Sequence, residues 1–178
     1  MDNGIFWITG LPSSGKTTLG FALHQYLAKK GIQSVVVDGD RLRAGLCKDL
    51  GFSPDDRLEN IRRAAELAKL LAESGLWVIC CLVSPMESMR RAARSIVSPY
   101  NFYEVYLDCP VDICAKRDVK GLYQQARSGK VNNLTGIDAP YESPAHPNFT
   151  IYTGKQSLEH SVKAFCQWAD TVLGEAKV

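Results

Sequence analysis

Eight consecutive residues have the composition and spacing of a phosphate-binding loop. The stretch GLPSSGKT, residues 10–17, fits the pattern G-x-x-x-x-G-K-[ST]. Backbone N–H groups in such a loop surround nucleotide phosphates at the positive N-terminal end of the helix that follows. Lys16 would neutralise the β- and γ-phosphates, and the hydroxyl of Thr17 would be a ligand of Mg²⁺. The residues predicted to bind the nucleotide are Gly10, Ser13, Ser14, Gly15, Lys16, Thr17 and Thr18.

A second group of residues that could take part in phosphate chemistry follows the predicted strand at residues 34–37, and it consists of carboxylates and arginines. Residues 34–37 are mostly valine and lead into Asp38 and Asp40, which puts both carboxylates at the C-terminal end of a strand. In open α/β sheets this edge is where ligands bind. A kinase needs a carboxylate to take the proton of the acceptor hydroxyl, with basic groups nearby. Arg43 and Arg57 supply the basic groups. Asp38 has a second interpretation, as the N-cap of the next turn.

Alternating strands and helices would position these residues. Short apolar runs predict buried strands at residues 5–8, 34–37, 77–83, 104–108 and 149–152. Helical spacing and capping residues predict helices at residues 18–30, 54–74, 87–96, 110–117 and 158–173. The alternation predicts an α/β fold, a three-layer P-loop NTPase sandwich around a parallel sheet of about five strands. Residues 1–178 are expected to form one globular domain.

The helix predicted at 54–74 would bury one face and present another to a ligand. Its apolar face is predicted to hold Leu58, Ile61, Ala65, Ala68 and Ala72. Arg57 and Asn60 share a different face near the start of the helix. They are either a substrate contact or a solvated surface.

Residues 121–147 form a long polar stretch with several glycines and prolines and one short helix, at 122–127. A loop of this length inside a compact domain is usually functional. We interpret residues 121–147 as a lid segment that excludes water from a reaction.

Composition argues against several other functions. The chain has 178 residues, 46% of them hydrophobic, and a formal net charge of +2, which predicts no nucleic-acid partner. The one basic cluster, Arg90 with Arg91 and Arg94, is interpreted as a solvated helix face or a substrate-phosphate contact. The six cysteines include no C-x-x-C pair and predict neither zinc nor a disulfide framework, and Cys80 and Cys81 are expected on opposite faces of a strand. No leader-like or membrane-spanning segment is recognised, so a cytosolic protein with no membrane partner is expected.

Several classes of protein share the phosphate-binding loop, so the loop alone does not decide the function. The chain lacks the N-K-x-D signature of GTPase switches and the apolar strand ending in Asp-Glu that is usual in mechanical ATPases. A small-molecule kinase that uses ATP and Mg²⁺ accounts for the carboxylates, the arginines and the lid segment together.

Further motifs, in a fixed order along the chain, resemble those of adenylylsulfate (APS) kinases. They are DGD at 38–40, KDLGFS at 48–53, DRxENIRR at 56–63, Ser84-Pro85, KGLY at 120–123, ARxG at 126–129 and TGIDxPYE at 135–142. The resemblance runs from the phosphate-binding loop almost to the C-terminus. It implies transfer of the γ-phosphate of ATP to the 3′-hydroxyl of adenosine 5′-phosphosulfate, giving PAPS, by an enzyme that is typically a homodimer.

The resemblance also implies roles for matching residues. The implied catalytic residues are Lys16, Asp38, Asp40 and Ser84. Asp40 would orient on the acceptor hydroxyl and, with Thr17, on Mg²⁺. Ser84 would have either a phosphoserine role or a structural role at a strand end. Phe52 would stack on the acceptor's base, unless it is an ordinary core residue. The implied acceptor-binding residues are Arg43, Phe52, Arg57, Asn60, Val83, Ser84, Lys120, Leu134, Thr135 and Ile137.

Departures from the family pattern lie on the acceptor side. Leu134 stands where the family normally has an aromatic residue, Arg41 replaces the usual Asn after DGD, and Met86 and Met89 replace an aromatic residue and an acid. An alternative is therefore a related kinase acting on another nucleotide ester, such as cytidine diphosphoramidate in capsule biosynthesis. A non-catalytic nucleotide-binding module is a third interpretation, disfavoured because the phosphate-binding lysine and the carboxylate are intact.

Overall fold

A five-stranded parallel sheet lies at the centre of residues 3–175, the part of the chain described by the computed structural model. Its strands are β1 (Gly4–Thr9), β2 (Ser34–Asp38), β3 (Trp77–Cys81), β4 (Asn101–Leu107) and β5 (Phe149–Ile151). The strand order is β2-β3-β1-β4-β5, and each neighbouring pair is parallel. The helices are α1 (Lys16–Lys29), α2 (Gly39–Ala44), α3 (Pro54–Glu73), α4 (Glu87–Val97), α5 (Val111–Arg117), α6 (Leu122–Arg127) and α7 (Leu158–Glu175). This architecture confirms the predicted α/β fold.

Two apolar clusters cover the two faces of the sheet and make the three layers. Every residue of β1 and β3 is buried, as expected for central parallel strands with helices on both sides. Trp7 belongs to the cluster formed with α3 and α4, whereas Phe6 belongs to the cluster formed with α1 and α7. The same alternation places Cys80 in the first cluster and Cys81 in the second, which confirms their predicted opposite faces.

Several element boundaries and one buried face differ from the prediction. Strand β3 ends at Cys81, so residues 82 and 83 already belong to the turn that follows. Helix α2 was not predicted as a separate helix. Leu58 is 45% exposed, because the buried side of α3 runs through Ile61, Ala64 and Ala68 and leaves Leu58 at its edge.

Two expectations drawn from composition can be compared with the structure. Within residues 3–175, no helix is both long enough and apolar enough to cross a membrane. The arginine cluster on α4 is not a single solvated face, because Arg90 is only 2% exposed and its Nε lies 2.7 Å from Oε1 of Glu104. Arg91 does face solvent, where it pairs with Glu87 one turn earlier.

Candidate active site

The carboxyl ends of β1, β2 and β3 open into a cavity of about 880 Å³. Of the residues predicted for the site, those that line it are Ser13, Ser14, Gly15, Lys16, Thr17, Thr18, Asp38, Asp40, Arg43, Phe52, Arg57, Asn60, Val83, Ser84, Lys120, Leu134 and Thr135. Gly10 is buried and is not among the residues that line this cavity, and Ile137 lines a second, shallower cavity of about 530 Å³. The structure therefore gathers the nucleotide-binding and acceptor-binding candidates in one place, with Gly10 and Ile137 as the exceptions.

The phosphate-binding loop connects β1 to α1 through unusual backbone angles. Gly10 has a φ of +154°, and a Cβ on this residue would lie 2.9 Å from the Ser14 hydroxyl oxygen and 3.0 Å from the Leu107 carbonyl oxygen. Only glycine fits there without displacing its neighbours. Among the residues described, the buried Ser14 hydroxyl has no hydrogen-bond partner, as expected for a loop whose polar groups await a ligand.

The Lys16 side chain is hydrogen-bonded to the backbone of its own phosphate-binding loop. Its Nζ donates hydrogen bonds to the carbonyl oxygens of Gly10, at 2.9 Å, and Leu11, at 2.7 Å. Burial lowers the pKa of Lys16 to about 8, because the charged form loses hydration there. A polyphosphate in the loop would offer this ammonium a stronger acceptor than the two carbonyls.

Asp38 is the N-cap of the next helix, which is one of its two interpretations, and it also contacts Thr17. Its Oδ1 accepts from the backbone N–H groups of Asp40, at 3.0 Å, and Arg41, at 3.3 Å, so it is the N-cap of α2. Its Oδ2 accepts a 2.7 Å hydrogen bond from the hydroxyl of Thr17. Asp38 therefore ties the start of α1 to the start of α2, across the floor of the cavity.

Asp40 lies at the mouth of the cavity with its side chain 64% exposed, and it pairs with Lys120 from the loop before the lid segment. The nearby oxygen donors are the Thr17 hydroxyl and the carboxylates of Asp38 and Asp40. Hard oxygen ligands of this kind are those that Mg²⁺ prefers. The donor set thus fits a magnesium ion bridging to a bound nucleotide.

Phe52 forms an exposed aromatic platform on the acceptor side. Its ring is 55% exposed, so the alternative of an ordinary core residue is wrong. The guanidinium carbons of Arg43 and Arg57 lie 4.3 Å and 5.8 Å from the ring centroid. An aromatic face next to two cations can hold a base together with an attached anion.

Arg57 and Asn60 face the cavity, not bulk solvent, so their interpretation as a solvated surface is wrong. Arg57 Nη1 donates to the Thr135 hydroxyl at 2.9 Å, and Nη2 donates to the Asn133 carbonyl at 2.5 Å. Asn60 is 6% exposed, and its Oδ1 has no hydrogen-bond partner in residues 3–175. Partial burial lowers the pKa of Arg57, because the charged form loses hydration there.

Ser84 occupies a tight turn after β3, where its contacts are structural. The residue is 1% exposed and has a φ of +43°. Its hydroxyl accepts a 2.9 Å hydrogen bond from the indole nitrogen of Trp7, and its carbonyl accepts from Arg90 Nη1 at 2.9 Å. The neighbouring Val83 carbonyl accepts from the Thr9 hydroxyl at 2.6 Å. These partners support the structural interpretation of the Ser84 hydroxyl.

Leu134 and Thr135 form the wall opposite α3. Leu134 is 7% exposed and packs in a small apolar cluster with Leu11, Cys114 and Tyr123. Thr135 is 1% exposed and receives the hydrogen bond from Arg57. Ile137 is 43% exposed and faces away from this wall, because the turn reverses direction between residues 134 and 139.

The sequence did not point to a group of residues at the other end of the cavity. Arg117, Thr153 and Gln156 line it there. The Thr153 hydroxyl donates to the Ser14 carbonyl at 2.9 Å, and Arg117 Nη2 donates to the Thr153 carbonyl. Thr153 follows β5 at the carboxyl edge of the sheet, and that position in the sequence could have indicated a ligand contact. Arg117 carried no comparable signal, since it looks like an ordinary cation in the last turn of a helix.

Comparisons with known proteins agree on one family. The family model described as adenylylsulphate kinase matches residues 2–152. A relative from Bacillus pumilus named adenylyl-sulfate kinase is 49% identical over 159 residues, covering 89% of this chain and 81% of the relative. One of the same name from Pseudomonas aeruginosa is 46% identical over 167 residues, covering 94% and 85%. The structure of the Mycobacterium tuberculosis APS kinase CysC in complex with AMPPNP and APS superposes with a TM-score of 0.91 at 38% identity, covering 94% of this chain and 98% of that one.

Proposed function

Because the chain belongs to the adenylylsulphate kinase family, we propose that it transfers the γ-phosphate of ATP to the 3′-hydroxyl of APS, giving PAPS and ADP. One observation carries the proposal: a single cavity holds both the phosphate-binding loop and the Phe52 platform with its two arginines. These are the two recognition elements that a nucleotide donor and an anionic nucleotide acceptor require. The solved relative that contains AMPPNP and APS together supports the same pair of substrates.

ATP would bind along the loop between β1 and α1. The backbone N–H groups of residues 13–17 and the ammonium of Lys16 would hold its phosphates. Thr18, in the exposed first turn of α1, would contact the same phosphates. The base would lie toward Arg117, Thr153 and Gln156, at the opposite end of the cavity from Phe52.

A magnesium ion would be held by the Thr17 hydroxyl and by the carboxylate of Asp40, with Asp38 orienting the hydroxyl. When bound, the ion neutralises charge on the β- and γ-phosphates. The chain's contribution is to fix the oxygen donors before the substrate arrives, and the 2.7 Å hydrogen bond from Thr17 to Asp38 does this.

Asp40 would accept the proton of the acceptor 3′-hydroxyl. In the reaction the 3′-oxygen forms a bond to the γ-phosphorus, the bond from that phosphorus to the β–γ bridging oxygen breaks, and ADP leaves. The proton passes from the hydroxyl to Asp40 and then to water, which the exposed position of Asp40 permits. Lys120, now paired with Asp40, would move toward the developing charge once both substrates are bound.

The acceptor would lie between α3 and the lid segment. Phe52 would stack on its base, and Leu134 would contact it with an aliphatic side chain. Arg43, Arg57 and the Nδ2 group of Asn60 would bind the phosphosulfate. Val83 with the Ser84 turn, and Thr135, would complete the walls. We leave Ile137 out of this set, since it lines the second cavity.

Two expectations drawn from the sequence stay predictions. A homodimer is the expected assembly, and light scattering at micromolar concentration would test it. A cytosolic location likewise stays a prediction.

An ADP-release screen tests the function. Purified protein with MgATP is expected to release ADP and form PAPS when APS is added, and to show little release with cytidine diphosphoramidate or with AMP. Lys16→Met, which removes the ammonium that would hold the phosphates, is the matched control for contaminating kinases. Turnover of the cytidine ester without turnover of APS would establish the alternative acceptor. If no acceptor produced ADP release, kinase activity on these esters would be contradicted.

A further inference from the structure

The turn that carries the Arg57 contacts is built around one carboxylate. Asp138 Oδ2 accepts from the backbone N–H of Asn133 at 2.6 Å, and Oδ1 accepts from the N–H of Leu134 at 2.6 Å. The carbonyl of Leu134 in turn accepts from the N–H of Asp138 at 3.2 Å. Both oxygens of the carboxylate are therefore used within one turn, which spans residues 133–139.

The conformation of this turn needs such support. Asn133 has a φ of +61°, a left-handed conformation that asparagine adopts more readily than most residues but that still requires compensation. Asn133 is also exposed, so packing does not hold it. The two charge-assisted hydrogen bonds that Asp138 accepts hold the peptide planes on either side of Asn133.

The orientation of Asn133 decides what Arg57 can bind. The Asn133 carbonyl accepts from Arg57 Nη2, and the nearby Thr135 hydroxyl accepts from Nη1. A third donor, Nε, bonds to the Phe52 carbonyl at 3.1 Å. Of the five N–H groups of the guanidinium, three are thus engaged by the protein and two remain for an anion in the cavity.

We infer that Asp138 is a positioning residue for acceptor binding: it holds the Asn133 and Leu134 amides, and through the turn it orients the Arg57 guanidinium toward the acceptor's anionic group. The inference rests on the proposed function for the identity of the acceptor. Asp138 lines the second cavity and not the first, so it would act on the acceptor through the turn, and the proposed route is the contact of that turn with Arg57.

Variants of Asp138 give a graded test. Asp138→Ala removes both acceptor oxygens and is expected to raise the KM for APS about tenfold, whereas Asp138→Asn keeps one oxygen and is expected to raise it about threefold. The KM for ATP should stay within about twofold in both, since the carboxylate of Asp138 bonds to Asn133 and Leu134 and not to the backbone of the phosphate-binding loop. Asp112→Asn on α5 is the charge-matched control, because Asp112 is exposed and outside both cavities.

A double-mutant cycle separates positioning from a general loss of structure. In an Arg57→Ala background, adding Asp138→Ala is expected to change the KM for APS by less than about twofold, because the residue through which Asp138 acts is already gone. Full additivity of the two changes would overturn the route through Arg57. Equal rises in the KM values for APS and ATP would overturn the positioning role.

Hydrogen exchange on the free protein tests the turn without any substrate. The amides of Asn133 and Leu134 are expected to exchange faster in Asp138→Ala than in the wild-type protein, and their exchange rates should be unchanged in Asp112→Asn. Unchanged exchange in Asp138→Ala would overturn the inference, whatever the acceptor is. Failure of the wild-type protein to phosphorylate APS would instead overturn the proposed function, and the exchange measurement would still decide the role of Asp138 in the turn.

Discussion

Nucleotide affinity is expected to fall between pH 7 and pH 9, because Lys16 loses its proton in that range when no nucleotide is bound. Burial lowers the pKa of Lys16 to about 8 in the free protein, where the ammonium has only two backbone carbonyls as partners. Bound phosphates would favour the charged form and return the pKa toward the ordinary lysine value of about 10.4. Since the pKa rises on binding, binding takes up a proton, and a rising pH opposes it.

The size of this change in nucleotide affinity follows from the fraction of Lys16 that is neutral at each pH. With a pKa of about 8, Lys16 is about one-tenth neutral at pH 7 and about nine-tenths neutral at pH 9. The dissociation constant for MgADP is therefore expected to increase about tenfold over these two pH units, equivalent to about 1.4 kcal/mol. At pH 8 each binding event should take up about half a proton.

Isothermal titration calorimetry measures this uptake directly. MgADP is titrated at pH 7, 8 and 9 in two buffers that differ in ionisation enthalpy, and the difference in observed heat gives the number of protons bound. Lys16→Met is the control, because it removes the titrating group and should show weaker binding with no uptake at pH 8. Negligible uptake by the wild-type protein at pH 8, or a pH profile parallel to that of Lys16→Met, would refute the reasoning.

Three further predictions concern catalysis, the lid and the acceptor. Asp40→Asn is expected to lower kcat about 10²-fold or more with little change in the calorimetric affinity for ATP, and a normal kcat would remove Asp40 from the chemistry. Residues 121–147 are expected to exchange amide hydrogens quickly in the free protein and to be protected once ADP and APS bind together. Equal protection in both states would argue against a moving lid. Leu134→Phe should leave the KM for APS unchanged or lower it, since stacking on a base is worth about 1–3 kcal/mol, whereas a lower kcat/KM with APS would indicate a pocket built for a smaller acceptor.

The elements and the phosphate-binding loop could be predicted because their determinants are local. The run of apolar residues before Gly10, the spacing of the loop itself and the cap at Ser53 each involve neighbours in the chain. Backbone propensity and hydrophobic period act over the same short distances, so the order of strands and helices followed from them. Even the opposite faces of Cys80 and Cys81 needed only the two-residue period of a strand.

Arg43, Arg57 and Asn60 were candidates from local pattern, but the rest of the acceptor site was predicted only through a resemblance along the chain, because its parts are far apart in sequence. Arg57 meets Thr135 across 78 residues, and Lys120 meets Asp40 across 80. No periodic pattern links such positions. The sheet order β2-β3-β1-β4-β5 brings them together, by placing the ends of β1, β2 and β3 beside one another.

Where the sequence was misleading, tertiary packing had replaced a local preference. The sequence alone favoured a solvated or phosphate-binding face for the arginines of α4. Arg90 is nevertheless buried, where Glu104 on β4 pairs with its charge and the Ser84 carbonyl accepts a hydrogen bond from its Nη1. Ile137 shares a motif with Thr135 but lines another cavity, because the turn closed by Asp138 reverses the chain between them. The sequence by itself determined the fold and the phosphate chemistry. Only the tertiary structure decided which side chains share the cavity, since that depends on contacts between residues that local pattern cannot relate.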